Sequence, residues 1–284
     1  MVRRQLDYVA SLFGNHMVLL CVEYSKANGG ADYTLITGFV IESGNDWVIA
    51  TSGHKLADTE RHLKNNKIEI IGGRLVDCLG SDAIFLDDAS ASIPMSYTDF
   101  EFRHHVYFKE EGLDYGYLVI PELVRNNLEA NRITPLMETQ CASLDQEFDT
   151  YFVVGVPSEK AQPTPENNGL SFRHGVLALE RTFDPPATLI KQVDRFYGRI
   201  VDLGDLTDID GFSGGPVFGM TDDPSGLPSL ALVGLQSGWD KDKQVLAAGS
   251  ASNILPFFRI LDLVKTCQGS RQIPGQPDLG IRGT

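Results

Sequence analysis

The chain of 284 residues predicts an all-β fold built on antiparallel strands, and three observations carry that prediction. Short segments rich in β-branched and aromatic residues recur along it. Gly, Asn, Asp or Pro bound nearly every one of them. Helical periodicity is confined to three places, so the rhythm is that of barrels or sandwiches rather than of alternating helices and strands.

In chain order, the predicted strands are Tyr33 to Ile41, Trp47 to Thr51, Lys67 to Ile71, Tyr115 to Ile120, Tyr151 to Val156, Gly175 to Glu180, Gly198 to Val201 and Ala231 to Leu235. Each alternates or runs apolar over four to nine residues, the length of one crossing of a sheet. Phe102 to Phe108 alternates too, placing His104 and His105 on opposite faces. The predicted helices are Arg3 to Phe13, with Leu6, Val9, Ala10 and Phe13 on one face, a short one from Pro121 to Ala130 opened by proline, and Asn253 to Thr266, capped by Ser252 or Asn253 with Pro256 in its first turn. Segments 157–169 and 221–229 read as loops, and 268–284 reads as a disordered tail.

Charge and composition remove several function classes. Lys and Arg number 24 against 38 Asp and Glu, a net charge of −14 with no basic cluster, so nucleic acid is not an expected partner. No apolar run is long enough to span a bilayer, and the opening residues carry no cleavage-site pattern, so neither membrane nor export signal is expected. Cys21, Cys78, Cys141 and Cys267 form no C-x-x-C pair, which argues against a zinc knuckle or dithiol site. Reduced thiols and a cytoplasmic location are the simpler reading, although the even count leaves disulfides open. No metal and no cofactor is expected.

One stretch is built for more than packing: DGFSGGPV, Asp210 to Val217. A serine that attacks a carbonyl needs a tight bend that turns its own N–H, and the N–H two residues earlier, toward the developing oxyanion. Gly211, Ser213, Gly214 and Gly215 meet that demand, and Pro216 sets the exit. Taken alone, the stretch also suits a Gly-Gly-Pro turn with a solvent-facing serine, so partner residues decide.

The hydroxyl requires a base, commonly a histidine oriented by a buried carboxylate. Of six histidines, His54 is the best placed, because the apolar strand before it runs into the small-residue turn Thr51, Ser52, Gly53. His16, His104, His105 and His174 lack that context. Two aspartates open apolar strands, Asp114 and Asp82. Asp82 follows His54 closely for the strands that must intervene, so the spacing favours Asp114 and leaves Asp82 as the alternative.

Together, Thr37-Gly38-Phe39, Val48 to His54, Asp114 to Leu118 and Gly211 to Val217 resemble the trypsin-like (chymotrypsin-fold) serine peptidases over about Val18 to Phe258. Gly155 to Pro157 and Val233 to Ser237 fall where that family places a strand-end turn and the strand that binds the substrate backbone. The resemblance implies two six-stranded antiparallel barrels with a C-terminal helix. Together with the amphipathic reading of Arg3 to Phe13, it suggests an N-terminal helix over 1–13, a barrel over 14–130 carrying His54 and Asp114, a barrel over 131–252 carrying Ser213, and a helix over 253–267.

The resemblance further implies a serine endopeptidase acting on protein or peptide substrates, with His54, Asp114 and Ser213 as triad and the N–H groups of Gly211 and Ser213 as oxyanion hole. Thr207, Asp208, Ser237, Gly238 and Trp239 fall where it places the substrate pocket, with the neutral Thr207 at its floor. The chain departs from secreted animal members in having Phe212 before the nucleophile, where they carry Asp, and in having Lys55 and Ile209 where they carry cysteines. That resembles the intracellular or bacterial branch, in which control would fall to substrate access or an activating partner protein. A triad-bearing relative that binds a peptide or partner without cleaving it is the second class.

Overall fold

The computed structural model describes residues 12–27, 29–65, 67–77, 84–85, 92–100, 102–164, 169–172, 174–221 and 228–256. The strands are β1 (Met17–Lys26), β2 (Ala31–Ser43), β3 (Asp46–Thr51), β4 (Ile68–Val76), β5 (Ile84–Phe85), β6 (Ser92–Pro94), β7 (Phe102–Phe108), β8 (Leu113–Val119), β9 (Thr150–Gly155), β10 (Gln162–Thr164), β11 (Gly169–Phe172), β12 (Gly175–Arg181), β13 (Arg195–Ile200), β14 (Pro216–Thr221), β15 (Ser229–Asp240) and β16 (Val245–Ser250).

They form a seven-stranded antiparallel sheet, ordered β6-β4-β1-β2-β3-β8-β7, and a closed six-stranded barrel, ordered β12-β13-β16-β15-β14-β9. A small sheet joins β10, β11 and β5. The mostly-β expectation is met, and the second half closes as a barrel. The first half differs from the six-stranded barrel the resemblance implied: it has seven strands, and its end strands β6 and β7 do not pair with each other among the described residues.

The apolar alternation accounts for the layers. Val18, Leu20, Val40, Ile49 and Leu118 cluster on one face of the first sheet, together with Leu56 of the helix Gly53–Lys64. Met17, Leu19, Phe39, Tyr115 and Tyr117 leave on the other face and meet Phe152 and Phe218 from the barrel. Phe13 stacks on Phe218 with ring centroids 4.6 Å apart. A hydrogen, but no larger group, fits at Gly249 against the Tyr115 ring, since a Cβ there would lie 2.4 Å from the hydroxyl. The strand carrying Asp114 is therefore pressed directly on β16 of the barrel.

The helix Glu122–Ala130 begins just after Pro121, as predicted. The helix Gly53–Lys64 was not predicted. At the other end of the chain, residues 251–256 are helical, starting two residues before the predicted Asn253. Ser250 caps them, its Oγ accepting from Ser252 N–H at 3.2 Å, in the role that the sequence had suggested for Ser252 or Asn253. The predicted helix Arg3 to Phe13 lies almost wholly outside the described residues, as do the tail 268–284, Asp82, Cys78 and Cys267.

Candidate active site

His54 sits in the first turn of the helix Gly53–Lys64, directly after β3. Ser52 occupies the position before the helix, yet its hydroxyl makes no capping bond, and no acidic residue lies in the first turn. The cap comes from β8 instead: Asp114 Oδ1 accepts from the His54 backbone N–H at 2.8 Å. The other oxygen, Oδ2, lies 2.7 Å from His54 Nδ1. One carboxylate thus satisfies an orphan helix N–H, complements the positive helix terminus and fixes the imidazole ring. The Asp114 side chain is 7% exposed and that of His54 24%, so the orienting group is shielded while the ring keeps an open edge. Tyr107, the register partner of Asp114 on β7, covers the imidazole with ring centroids 5.8 Å apart.

The glycine turn packs against this corner. A Cβ on Gly214 would lie 2.4 Å from Thr37 O, 2.4 Å from Thr51 Oγ1 and 2.8 Å from Ser52 N, so the residue after Ser213 touches the backbone that leads into His54. Gly214 also has φ +93°, which favours glycine independently. Two threonines tie the halves together: Thr51 Oγ–H donates to Thr37 O at 2.6 Å, and Thr37 Oγ–H to Gly211 O at 2.9 Å.

The peptide entering the turn has a fixed orientation. Ser158 N–H donates to Asp210 O at 2.7 Å, and in a trans peptide the next N–H points the opposite way. Gly211 N–H is therefore aimed away from Ser158, and it has no acceptor among the described residues. Gly211 adopts φ +95°, and a Cβ there would lie 2.3 Å from Val156 O. Phe212 anchors the bend: it is fully buried, with its ring filling the space where Gly155 and Gly175 lack side chains. Ser213 is half-buried, and its hydroxyl has no hydrogen-bond partner among the described residues, His54 included.

The residues expected to form the substrate pocket divide. Ser237, Gly238 and Trp239 wall a cleft of about 290 Å³ whose opposite wall includes His54 and Asp114. Thr207 and Asp208 do not line it. Thr207 holds the Glu159 carboxylate through its N–H and hydroxyl, and Asp208 pairs with Lys241 at 2.9 Å.

Sequence reasoning passed over Lys109, Lys191 and Arg195, which also line the cleft. Arg195 opens a strand in the context Val-Asp-Arg-Phe-Tyr, where nothing separates a buried arginine from a solvated one. It passed over Ser158 as well, because the role belongs to the backbone N–H and not to the side chain.

His16 and His105 have partners of their own elsewhere. His16 Nδ1 contacts Thr134 O, and His105 lies 3.7 Å from Glu60. Among the described residues, Cys21 and Cys141 are free thiols. Burial pushes Cys21 up to about 12 and Cys141 up to about 11, which keeps both protonated and poorly nucleophilic near neutral pH. No group of three or more His, Cys, Asp or Glu side chains gathers to hold a metal ion among the described residues. None of the described helices is long and apolar enough to cross a membrane.

No family model matches the chain, and no curated protein does. Among solved structures, it is similar to the protease Anisep from Arthrobacter nicotinovorans, with 14% identity, coverage of 83% of this chain and 90% of that one, and a TM-score of 0.45. It is also similar to a Glu endopeptidase in complex with MPD, with 12% identity, coverage of 89% and 91% and a TM-score of 0.47. A third, Deg5, gives 10% identity, coverage of 90% and 94% and a TM-score of 0.45. Likenesses at this level assign a role to no residue of the chain.

Proposed function

We propose that the chain is a serine endopeptidase in which Ser213 is the nucleophile, His54 the general base and Asp114 the group that orients His54. Ser213 Oγ attacks the substrate carbonyl carbon as its proton passes to His54 Nε2, and the carbonyl electron pair moves onto oxygen. The N–H groups of Gly211 and Ser213 receive that oxyanion. Collapse of the intermediate expels the amine, which takes the proton back from His54 and leaves an acyl-enzyme. Water then repeats the cycle and releases the acid.

The single observation that carries this reading is the pair of bonds from Asp114 to His54. The bond at Nδ1 sets the tautomer with Nε2 unprotonated, as a base must be, while the bond at the backbone N–H locks the carboxylate to the helix that bears the ring. The orientation of Gly211 N–H supports it separately.

Cleavage of unstructured protein by the full chain tests the reading. His54→Ala and Ser213→Ala should each lower kcat by about 10⁴-fold or more, and the double variant by no more than either single one. Near-normal turnover in either single variant, or losses that multiply, would overturn it.

A further inference from the structure

We propose that the cleft beside His54 is a subsite for an acidic side chain, so that the substrate carries Asp or Glu a few residues before the cleaved bond. This rests on the peptidase reading for its direction, and on the cleft alone for its chemistry.

The direction follows from the barrel. β14 pairs with β15 only as far as Leu235, and the Gly214 and Gly215 turn takes up Gln236. Beyond that point β15 continues through Ser237, Gly238 and Trp239 to Asp240, bonded to β16 on one side and, among the described residues, to no strand on the other. A peptide added antiparallel to this free edge has its C-terminal end at the Ser213 turn. Its residues before the cleaved bond then lie along 237–240, over the cleft.

The chemistry follows from charge. In a chain with a net charge of −14, the cleft gathers Lys109, Lys191 and Arg195. Its one carboxylate is Asp114, already committed to His54 through both oxygens. Elsewhere Lys26, Arg61, Arg125, Lys160 and Lys241 each hold a carboxylate, but these three cations have no such partner among the described residues.

Arg195 is the most exacting of them. It is 9% exposed, its Nη2 donates to Ser237 Oγ, and its Nε is buried with no acceptor. Burial, the largest influence, draws its pKa down, and the neighbouring Tyr197, Tyr115 and Asp114 counter this only in part. A buried guanidinium without a counter-ion is costly, and a carboxylate supplied by substrate offsets that cost with charge-assisted bonds.

The stems converge. A single point above Gly112 lies 2.5 Å from Lys191 Cβ and 3.4 Å from Arg195 Cδ, and a Cβ on Gly238 would lie 3.6 Å from Arg195 Nη1. The Lys191 and Arg195 stems thus lie side by side at the Gly112 end of the cleft, and the Arg195 guanidinium reaches Gly238 at the other.

The test uses peptides carrying Glu, Gln or Lys at the second, third or fourth position before the cleaved bond. At one of these positions the full chain should cleave the Glu peptide with a kcat/KM about tenfold or more above the Gln peptide, the scale of one well-placed charge pair. The preference should shrink in high salt, and the Lys109→Glu, Lys191→Glu double variant should bring the ratio to one or below. Arg195→Gln should do the same; the lysine pair keeps the test decisive if that variant does not fold.

Fluorescence anisotropy with Ser213→Ala protein and the same peptides separates this proposal from the peptidase reading. Tighter binding of the Glu peptide, lost in the lysine variant, upholds the subsite even if no peptide is cleaved, in which case only the peptidase reading falls. Equal treatment of Glu and Gln at all three positions, a preference unmoved by the lysine changes, or no peptide binding at all would overturn the subsite.

Discussion

Asp114 acts on His54 through two atoms, and replacing it separates their effects. In Asp114→Asn, the amide oxygen can still accept from the His54 backbone N–H, while the amide NH2 faces Nδ1 and favours the tautomer with the proton on Nε2. Turnover should fall by about four orders of magnitude with the thermal midpoint little changed, measured by peptide hydrolysis beside a melting curve. Asp82→Asn should leave turnover intact, and the reverse ranking would move the orienting role to Asp82. Phe212 makes the complementary point about stability: it is fully buried, so Phe212→Ala should cost about 3–5 kcal/mol in urea unfolding. The contact between Asp114 and His54 and the glycine bend at Ser213 have local traces in the sequence, small residues before the histidine and glycines around the serine. Arg195 and the Ser158 N–H were not legible in this way, because their roles come from distant neighbours and leave no local pattern.

The helix Gly53–Lys64 delivers His54, and its close seating is what makes the geometry tight. A Cβ on Gly53 would lie 2.4 Å from Val106 O and 2.7 Å from Tyr115 O, so Gly53→Ala must shift the helix start. Displacement of a catalytic group by even about 1 Å can cost on the order of 10²-fold, so kcat should drop by roughly that factor while far-ultraviolet circular dichroism stays native. Unchanged kcat would mean that the helix start does not set the position of His54. This helix escaped the sequence reading because its apolar content is sparse: among its residues only Gly53, Leu56 and Thr59 are buried. Its stability comes from packing on β7 and β8 and from the cap that Asp114 supplies. The strands were more legible, since a buried face imposes an alternation that short windows reveal. β1 and β16 were passed over because Met17–Lys26 and Val245–Ser250 are buried through most or all of their length, leaving a continuous apolar or small-residue run instead of an alternation.

At the scale of the molecule, the candidate site lies where the seven-stranded sheet meets the barrel, so the proposed activity depends on that junction staying folded. His16 reports on the junction: its Nδ1 contacts Thr134 O and its ring lies 6.5 Å from that of Phe218. Burial lowers its pKa below 6.5, outweighing the bond to Thr134. The unfolded chain therefore takes up this proton first as pH falls, and the folded state loses stability from about pH 6.5 downward until the lowered pKa is passed. Urea midpoints should drop between pH 7.5 and 5.5 by more in the wild type than in His16→Asn, whose amide can keep a donor toward Thr134. Equal slopes would remove His16 as the source. The central claim, that the junction assembles an activated serine, is tested most directly by treating the native full-length protein with a fluorophosphonate and locating the adduct by mass spectrometry. The account predicts one modified residue, Ser213, with labelling abolished by His54→Ala and strongly slowed by Asp114→Asn. No adduct on the folded protein, or an adduct that forms on Ser213 equally well without His54, would contradict it.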